Sequence, residues 1–333
     1  MKAAVLSKGS VHIEEVALPA LEEGHARIKL MHVGLCGSDM HRFDAQRESD
    51  QNVILGHEFV GRVVEINGIQ DSVQLQVNDA VAGCPVLPCG ECGNCSHDSD
   101  NLCEGFHAIG RDSRGAFAEY VDAPISSVFR LPDQEHTKKF VLADVVAVCL
   151  HAADDIAGNI AGKKCLIIGD GAIGACLALV LKARGADGVA VASRHQDNFD
   201  LINRVSSADK LADDPDDFDL VFETVGRTQL ETLELSLSRV ATRGKIIVLG
   251  VFPPGFELKF DNRKLFLKEA SLTASVAYKA SYFAAALAFI HEHPEIEELI
   301  TQEYPFESFD EGLKTMRDKA AANEAVVKVV YNL

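Results

Sequence analysis

Lys164-Cys165-Leu166-Ile167-Ile168-Gly169-Asp170-Gly171-Ala172-Ile173-Gly174 sets a short apolar run directly against a G-x-G-x-x-G string, and the apolar residues Ala175 to Ala183 follow at once. Such glycines mean little alone. Between a strand and a helix they form a dinucleotide fingerprint: Gly169 makes the turn, Gly171 lets a pyrophosphate approach, and Gly174 allows close helix–strand packing. The pyrophosphate then sits at the helix N-terminus beside Ala172 and Ile173, where free N–H groups and the helix dipole attract it. The competing reading is a βα turn that binds nothing.

That stretch predicts an α/β domain, a Rossmann-type doubly wound parallel sheet. The runs Gly188 to Ala192, Phe218 to Glu223, Lys245 to Gly250 and Ser271 to Val276 supply its later strands, with Thr228 to Arg239 helical. Residues 194–218 read as too short and charged for a full βα unit, which predicts an open adenine pocket there. The second strand ends in Ser193-Arg194-His195. NAD sites place an acid at this strand end to take the ribose hydroxyls. Ser193 stands there instead. Ser193 can bond a 2′-phosphate and Arg194 can neutralise it, so NADP is expected ahead of NAD. A surface arginine with no ligand is the alternative.

Upstream, Gly34-Leu35-Cys36-Gly37-Ser38-Asp39-Met40-His41 and Leu55-Gly56-His57-Glu58 concentrate polar chemistry between glycines. A thiolate, an imidazole and a carboxylate are the ligands of a catalytic zinc that keeps one position open, and Cys36, His57 and Glu58 supply that set. Asp39 is placed to accept the second ring N–H of His57. Ser38 and His41 can relay a proton toward solvent. A buried free Cys, a core His and a surface Glu make the plain alternative.

Cys89-Gly90-Glu91-Cys92-Gly93-Asn94-Cys95, with Cys103, gives C-x2-C-x2-C-x7-C. Four thiolates so spaced close a tetrahedral zinc shell that leaves no place for substrate. An iron–sulfur cluster or redox thiols are the other readings. Alternating apolar runs over residues 1–33, Val60 to Ile66 and Ala80 to Gly83 predict a mostly β domain around these motifs. Residues 139–160 read as an apolar helical segment entering the second domain. Asp144 is a lone carboxylate in it, either a helix N-cap or a group in need of a partner.

The chain has 333 residues, enough for two domains. Its 32 Lys and Arg against 50 Asp and Glu leave a net charge of −18, which disfavours a phosphate backbone as partner. No run approaches the roughly 20 apolar residues of a membrane span. The N-terminus lacks the apolar stretch of a secretory signal. Nine cysteines, four at metal spacing, fit a reducing compartment better than a disulfide framework. These features predict a cytoplasmic protein without nucleic-acid or membrane partners.

Gly-Leu-Cys-Gly-Ser-Asp-x-His, Gly-His-Glu and the four-cysteine string together resemble the zinc-containing medium-chain alcohol and polyol dehydrogenases, especially their sorbitol dehydrogenase-like and sugar-alcohol-phosphate dehydrogenase-like members. The resemblance runs from Ala3 to the last strand. It implies a GroES-like catalytic domain over 1–145 and 278–333, and a nucleotide domain over 146–277. It also implies one catalytic and one structural zinc, NADP or NAD, a small alcohol or carbonyl substrate, and a homo-oligomer, dimer or tetramer. In this family a Cys, Asp or Glu seven residues before the position of His151 approaches the zinc or its water, and Asp144 falls there. Two carboxylates near the metal and the absence of Trp suit a polyol or sugar derivative better than a long aliphatic alcohol. A relative that has lost catalysis, or a zinc-free reductase, would lack some of these motifs.

Overall fold

The computed structural model describes residues 1–45, 51–68, 75–212, 217–226, 230–252, 255–257, 261–322 and 324–333. The chain divides into two compact units. Unit 1 comprises Met1–Asp144, Lys279–Ala322 and Lys328–Leu333; unit 2 comprises Val145–Tyr278 and Asn323–Val327. The sequence reading kept residues 278–333 together. The structure assigns the short segment before Lys328 to unit 2, where the Val326 amide donates to Asn198 Oδ1 at 2.9 Å.

Unit 1 is built around the strand His25–Leu35, whose consecutive buried residues, Ala26 to Ile28 and Val33 to Leu35, mark it as the centre of a sheet covered on both faces. It pairs antiparallel with Glu58–Asn67, Tyr120–Pro124 and Lys328–Asn332. Its register sets Gly34 opposite Glu58 on one side and Val330 on the other. Ala80–Gly83 and Val128–Arg130 extend the sheet one way and Ile300–Pro305 the other. Phe43, Phe117, Phe309 and Tyr331 pack as a buried aromatic cluster, with Phe117 and Phe309 centroids 4.9 Å apart and Phe309 and Tyr331 4.5 Å apart. Edge-to-face and offset arrangements of this kind add to the burial energy of the rings.

Unit 2 is an α/β domain. Among the described residues six strands, all parallel, run in the order Asp209–Lys210, Gly188–Ala192, Lys164–Ile168, Phe218–Glu223, Val240–Val248, Ser271–Ala274. In sequence numbering that is 3-2-1-4-5-6, the doubly wound order whose reversal point opens beside the first strand. Leu166, Ile168, Val221 and Ile246 form the core beneath Leu237. Two sequence readings need correction. Residues 194–218 do hold a βα unit, the helix Gln196–Ser206 and the strand Asp209–Lys210. Phe199, Ile202 and Val205 give that helix its buried stripe, a three-residue spacing masked by the intervening charges. The helix read from Thr228 is described as Leu230–Arg239; Thr228 lies outside the described residues. The segment at 139–160 is three pieces, a 3-10 turn Lys138–Leu142, the α-helix Ala143–Leu150 and a π-helical stretch His151–Ala157. No helix among the described residues is long and apolar enough to cross a membrane.

Candidate metal centres and nucleotide loop

Cys36 ends the central strand and caps the helix Gly37–Asp44. Asp39, on the first turn, reaches back and accepts the Cys36 amide on Oδ2 at 3.0 Å. Its other oxygen, Oδ1, lies 3.3 Å from His57 Nδ1. One buried carboxylate thus fixes both the thiol-bearing turn and the imidazole. His57 follows Gly56, whose φ is +93° and whose missing Cβ leaves room for the Phe117 ring, 2.9 Å from where that atom would stand. A side chain at 56 would be strained in backbone and packing alike. One ligand atom each from Cys36, His57 and Glu58 lies within 4.8 Å of the others. His57 Nε2 faces Asp144 Oδ2 at 4.0 Å. Asp144 is the second residue of its helix, so the N-cap reading does not apply.

The sequence reading missed Lys328. Its ammonium contacts Glu58 Oε2, and both side chains are buried, 1% and 0% exposed. Gly34 makes the pair possible, because a Cβ there would overlap Glu58 Oε2 and Lys328 Cε. Burial pushes the Glu58 carboxyl upward against the pull of Lys328. Burial works to lower Lys328, but Glu58, Cys36 and Asp144 outweigh it and hold the ammonium charged. Glu58 Oε1 is buried and accepts no hydrogen bond among the described residues. An orphaned oxygen beside a thiol and an imidazole is what a metal would satisfy. The donor set fits zinc. A Lys on the last strand offered no motif to find; only the sheet register brings it to Glu58. Burial likewise opposes a charged His57, and the neighbouring Asp39 and Cys36 side chains overcome it, raising the imidazole well above its ordinary value.

Ser38 and His41 lie exposed on the helix that Cys36 caps. The string Gly115 to Tyr120 runs into the strand Tyr120–Pro124, and its Phe117 belongs to the aromatic cluster behind Gly56.

The four cysteines of the second motif also converge, with one ligand atom from each of Cys89, Cys92, Cys95 and Cys103 within 4.8 Å of the rest. Sγ separations are 3.5 Å for Cys92–Cys95, 3.9 Å for Cys92–Cys103 and 4.0 Å for Cys89–Cys95. Sulfurs about 2.3 Å from a tetrahedral zinc stand about 3.8 Å apart, so these residues fit that ion. The Cys95 and Glu104 amides pull the Cys92 thiol down to about 6, while burial and then Cys92 push Cys95 up to about 12.

In unit 2 the glycine loop has the predicted form. Gly169 has φ +121°, a Cβ on Gly174 would overlap the Gly169 carbonyl, and the space over Gly171 is open. Gly171 caps the helix Ala172–Ala183 without a side-chain cap, leaving the first-turn N–H groups of Ala172 and Ile173 for a phosphate. The loop therefore fits a dinucleotide. The strand end differs from the sequence reading, which found nothing acidic there. Asp170, from the loop itself, turns its carboxylate to that place. Its Oδ2 accepts from Ser193 Oγ at 2.6 Å, from the amides of Arg194 and His195 at 3.0 and 2.9 Å, and faces His195 Nδ1 at 3.0 Å. Ser193, expected to meet a 2′-phosphate, spends its hydroxyl internally. Arg194 is exposed.

Comparisons with known proteins agree with this geometry. Residues 22–133 match the alcohol dehydrogenase GroES-like domain and residues 147–329 the glucose dehydrogenase C-terminus. L-threonine 3-dehydrogenase of Rhizobium etli (strain CIAT 652) is 28% identical, over 95% of each chain. A protein from Sinorhizobium meliloti 1021, described as a zinc-binding dehydrogenase and solved with NADP, superposes with a TM-score of 0.86 at 26% identity, over 100% of this chain and 99% of that one. L-idonate 5-dehydrogenase of Escherichia coli gives 0.85 at 26% identity, over 100% and 98%. With a domain match spanning more than half of its residues, two zinc-shaped ligand sets and a dinucleotide loop, the chain belongs to the zinc-containing medium-chain alcohol and polyol dehydrogenases.

Proposed function

We propose that the chain oxidises a secondary hydroxyl on a polar, hydroxylated skeleton, a polyol, sugar alcohol or its phosphate, with NADP or NAD as acceptor, and reduces the matching carbonyl in reverse. The observation that carries this reading is the convergence of Cys36, His57 and Glu58 within 4.8 Å. Zinc held there would supply Lewis-acid chemistry that lowers the pKa of a substrate hydroxyl, and nicotinamide would supply the hydride acceptor. The chain's own residues do the rest. Asp39 fixes the His57 ring through Nδ1, which leaves Nε2 as the ligating nitrogen. Glu58 offers Oε1 while Lys328 balances its charge. Asp144, close to Nε2, is a second acceptor for a hydroxyl-rich substrate. Ser38 and His41 carry the released proton to solvent. Relatives named for dehydrogenating L-threonine and L-idonate support a polar secondary alcohol.

The test is a panel of polyols, sugar phosphates, hydroxy-amino acids and simple alcohols, assayed with both cofactors on zinc-loaded protein. Turnover confined to long aliphatic alcohols would refute the substrate class, and none with any alcohol would refute the reaction. The reading includes self-association in the cytoplasm. Ser271–Ala274 is a sheet edge among the described residues, and Phe266, Leu267 and Val276 nearby are 76%, 64% and 57% exposed, surface that a second copy would cover. Light scattering that returns a monomer would remove the self-association.

A further inference from the structure

Asp170 does more than shape its loop. Every hydrogen bond given to its carboxylate falls on Oδ2: the Ser193 hydroxyl, the Arg194 and His195 amides and the His195 ring. Among the described residues Oδ1 accepts none. The main chain beneath is locked as well, since the buried Asn198 side chain donates to the Asp170 carbonyl at 3.0 Å and is held in turn by the Val326 amide. The result is a rigid, partly exposed carboxylate (side chain 14% exposed) with one oxygen anchored and one presented. It stands between the glycine loop and the end of the second strand, where the fingerprint geometry lays the adenosine ribose. Burial works to raise its pKa, but Ser193 and His195 hold it below the usual carboxylate value, so it is an anion at neutral pH.

We infer that Asp170 is the cofactor-selecting residue of this chain. Oδ1 accepts a ribose hydroxyl of NAD, and the carboxylate charge opposes the 2′-phosphate that Arg194 attracts. The usual second-strand acid is thus supplied from the first loop, and Ser193 anchors it in place of touching the nucleotide. Two opposed charges on one ribose make a chain that admits both cofactors, with the balance held by Asp170. His195, 3.0 Å from Oδ2, is the nearby base that tempers the carboxylate. In Asp170→Asn the amide oxygen can take over the Ser193, Arg194 and His195 donors, which turns Nδ2 outward as a donor to a phosphate.

This inference rests on the reading that the chain binds a nicotinamide dinucleotide, so its test reads binding, not turnover. Dissociation constants of NAD and NADP are measured by titration calorimetry on zinc-loaded wild type, Asp170→Asn, Asp170→Ser and Arg194→Ala. Wild type should bind both. Asp170→Asn should shift the affinity ratio toward NADP by about ten- to a hundredfold, the weight of one charge-assisted hydrogen bond. Asp170→Ser should shift it the same way with weaker binding overall, and Arg194→Ala should weaken NADP alone. If both Asp170 variants leave the ratio unchanged, or weaken the two cofactors equally, Asp170 only holds the turn and the inference is overturned. If wild type binds neither dinucleotide, the dehydrogenase reading fails and the inference falls with it.

Discussion

Replacing Lys328 by Met tests whether the buried pair under the metal site is structural support. Met nearly fills the lysine stem's volume, so little packing is lost. What goes is the ammonium that contacts Glu58, in a place where the two side chains are 1% and 0% exposed. Removing one partner of a buried pair costs about 3–5 kcal/mol, because the other charge is left uncompensated. Glu58 limits that loss by taking up a proton, which burial already favours, so the lower end, about 3 kcal/mol, is expected. For a domain of this size that corresponds to a melting shift of roughly 6–12 °C. Thermal and urea unfolding of protein loaded with zinc only at the four-cysteine lobe, so that no metal compensates Glu58, followed by circular dichroism, measure it. Lys328→Met combined with Glu58→Gln should recover most of the stability, since no lone charge remains. A single variant within about 0.5 kcal/mol of wild type, or a double variant less stable than the single, would refute the reasoning.

Metal analysis should return two zinc equivalents in wild type and one in each of Cys92→Ser and Cys36→Ser; the first should lose stability because three ligands cannot close the lobe, the second mainly turnover. One equivalent or none in unchelated wild type would count against the two-site reading. His41→Ala should slow alcohol oxidation most toward low pH, within the about 10²–10⁴-fold range of general acid–base groups, with partial rescue by imidazole; an unchanged rate from about pH 6 to 9 removes His41 from the proton route. Because Asp170 is held below its unfolded value, its contribution to stability is fully present above the ordinary aspartate value of about 3.9 and is lost as pH falls through the depressed one. The stability gap between wild type and Asp170→Asn should therefore be flat near neutrality and shrink on strong acidification, and a gap that widens would contradict the network.

What the sequence showed most clearly was chemistry packed into short strings. The four cysteines and the glycine loop carry their spacing with them, and the structure folds each into the local shape that the spacing implied. Cys36, His57 and Glu58 come from two strings, and they meet because the paired strands His25–Leu35 and Glu58–Asn67 set Gly34 opposite Glu58. Groups brought together only by tertiary register were illegible. Lys328 is an ordinary lysine in a valine-rich strand. Asp170 sits in plain view inside the fingerprint, yet the usual place for the selecting acid is the second strand, and only the fold brings the loop carboxylate to that strand's end. Helix Gln196–Ser206 was obscured by its charges, because four buried apolar residues among polar ones are a weak periodic signal until the sheet beneath them is known.

The division of unit 1 into parts on either side of unit 2 sets an order of assembly. His32 and Asn332, 300 residues apart, share a 2.8 Å hydrogen bond between neighbouring strands. Contacts this distant in the chain close late, because the loop entropy comes before the reward. On a ribosome most of unit 2 emerges before the strand that carries Lys328, so unit 2 can fold while Glu58 still lacks its counter-charge. The counter-charge of Glu58 is then the last part of the candidate metal site to be put in place. In refolding experiments, dinucleotide affinity should return before the second equivalent of zinc is held, and metal supplied early should find the four-cysteine lobe first, since its ligands lie within one short stretch of chain.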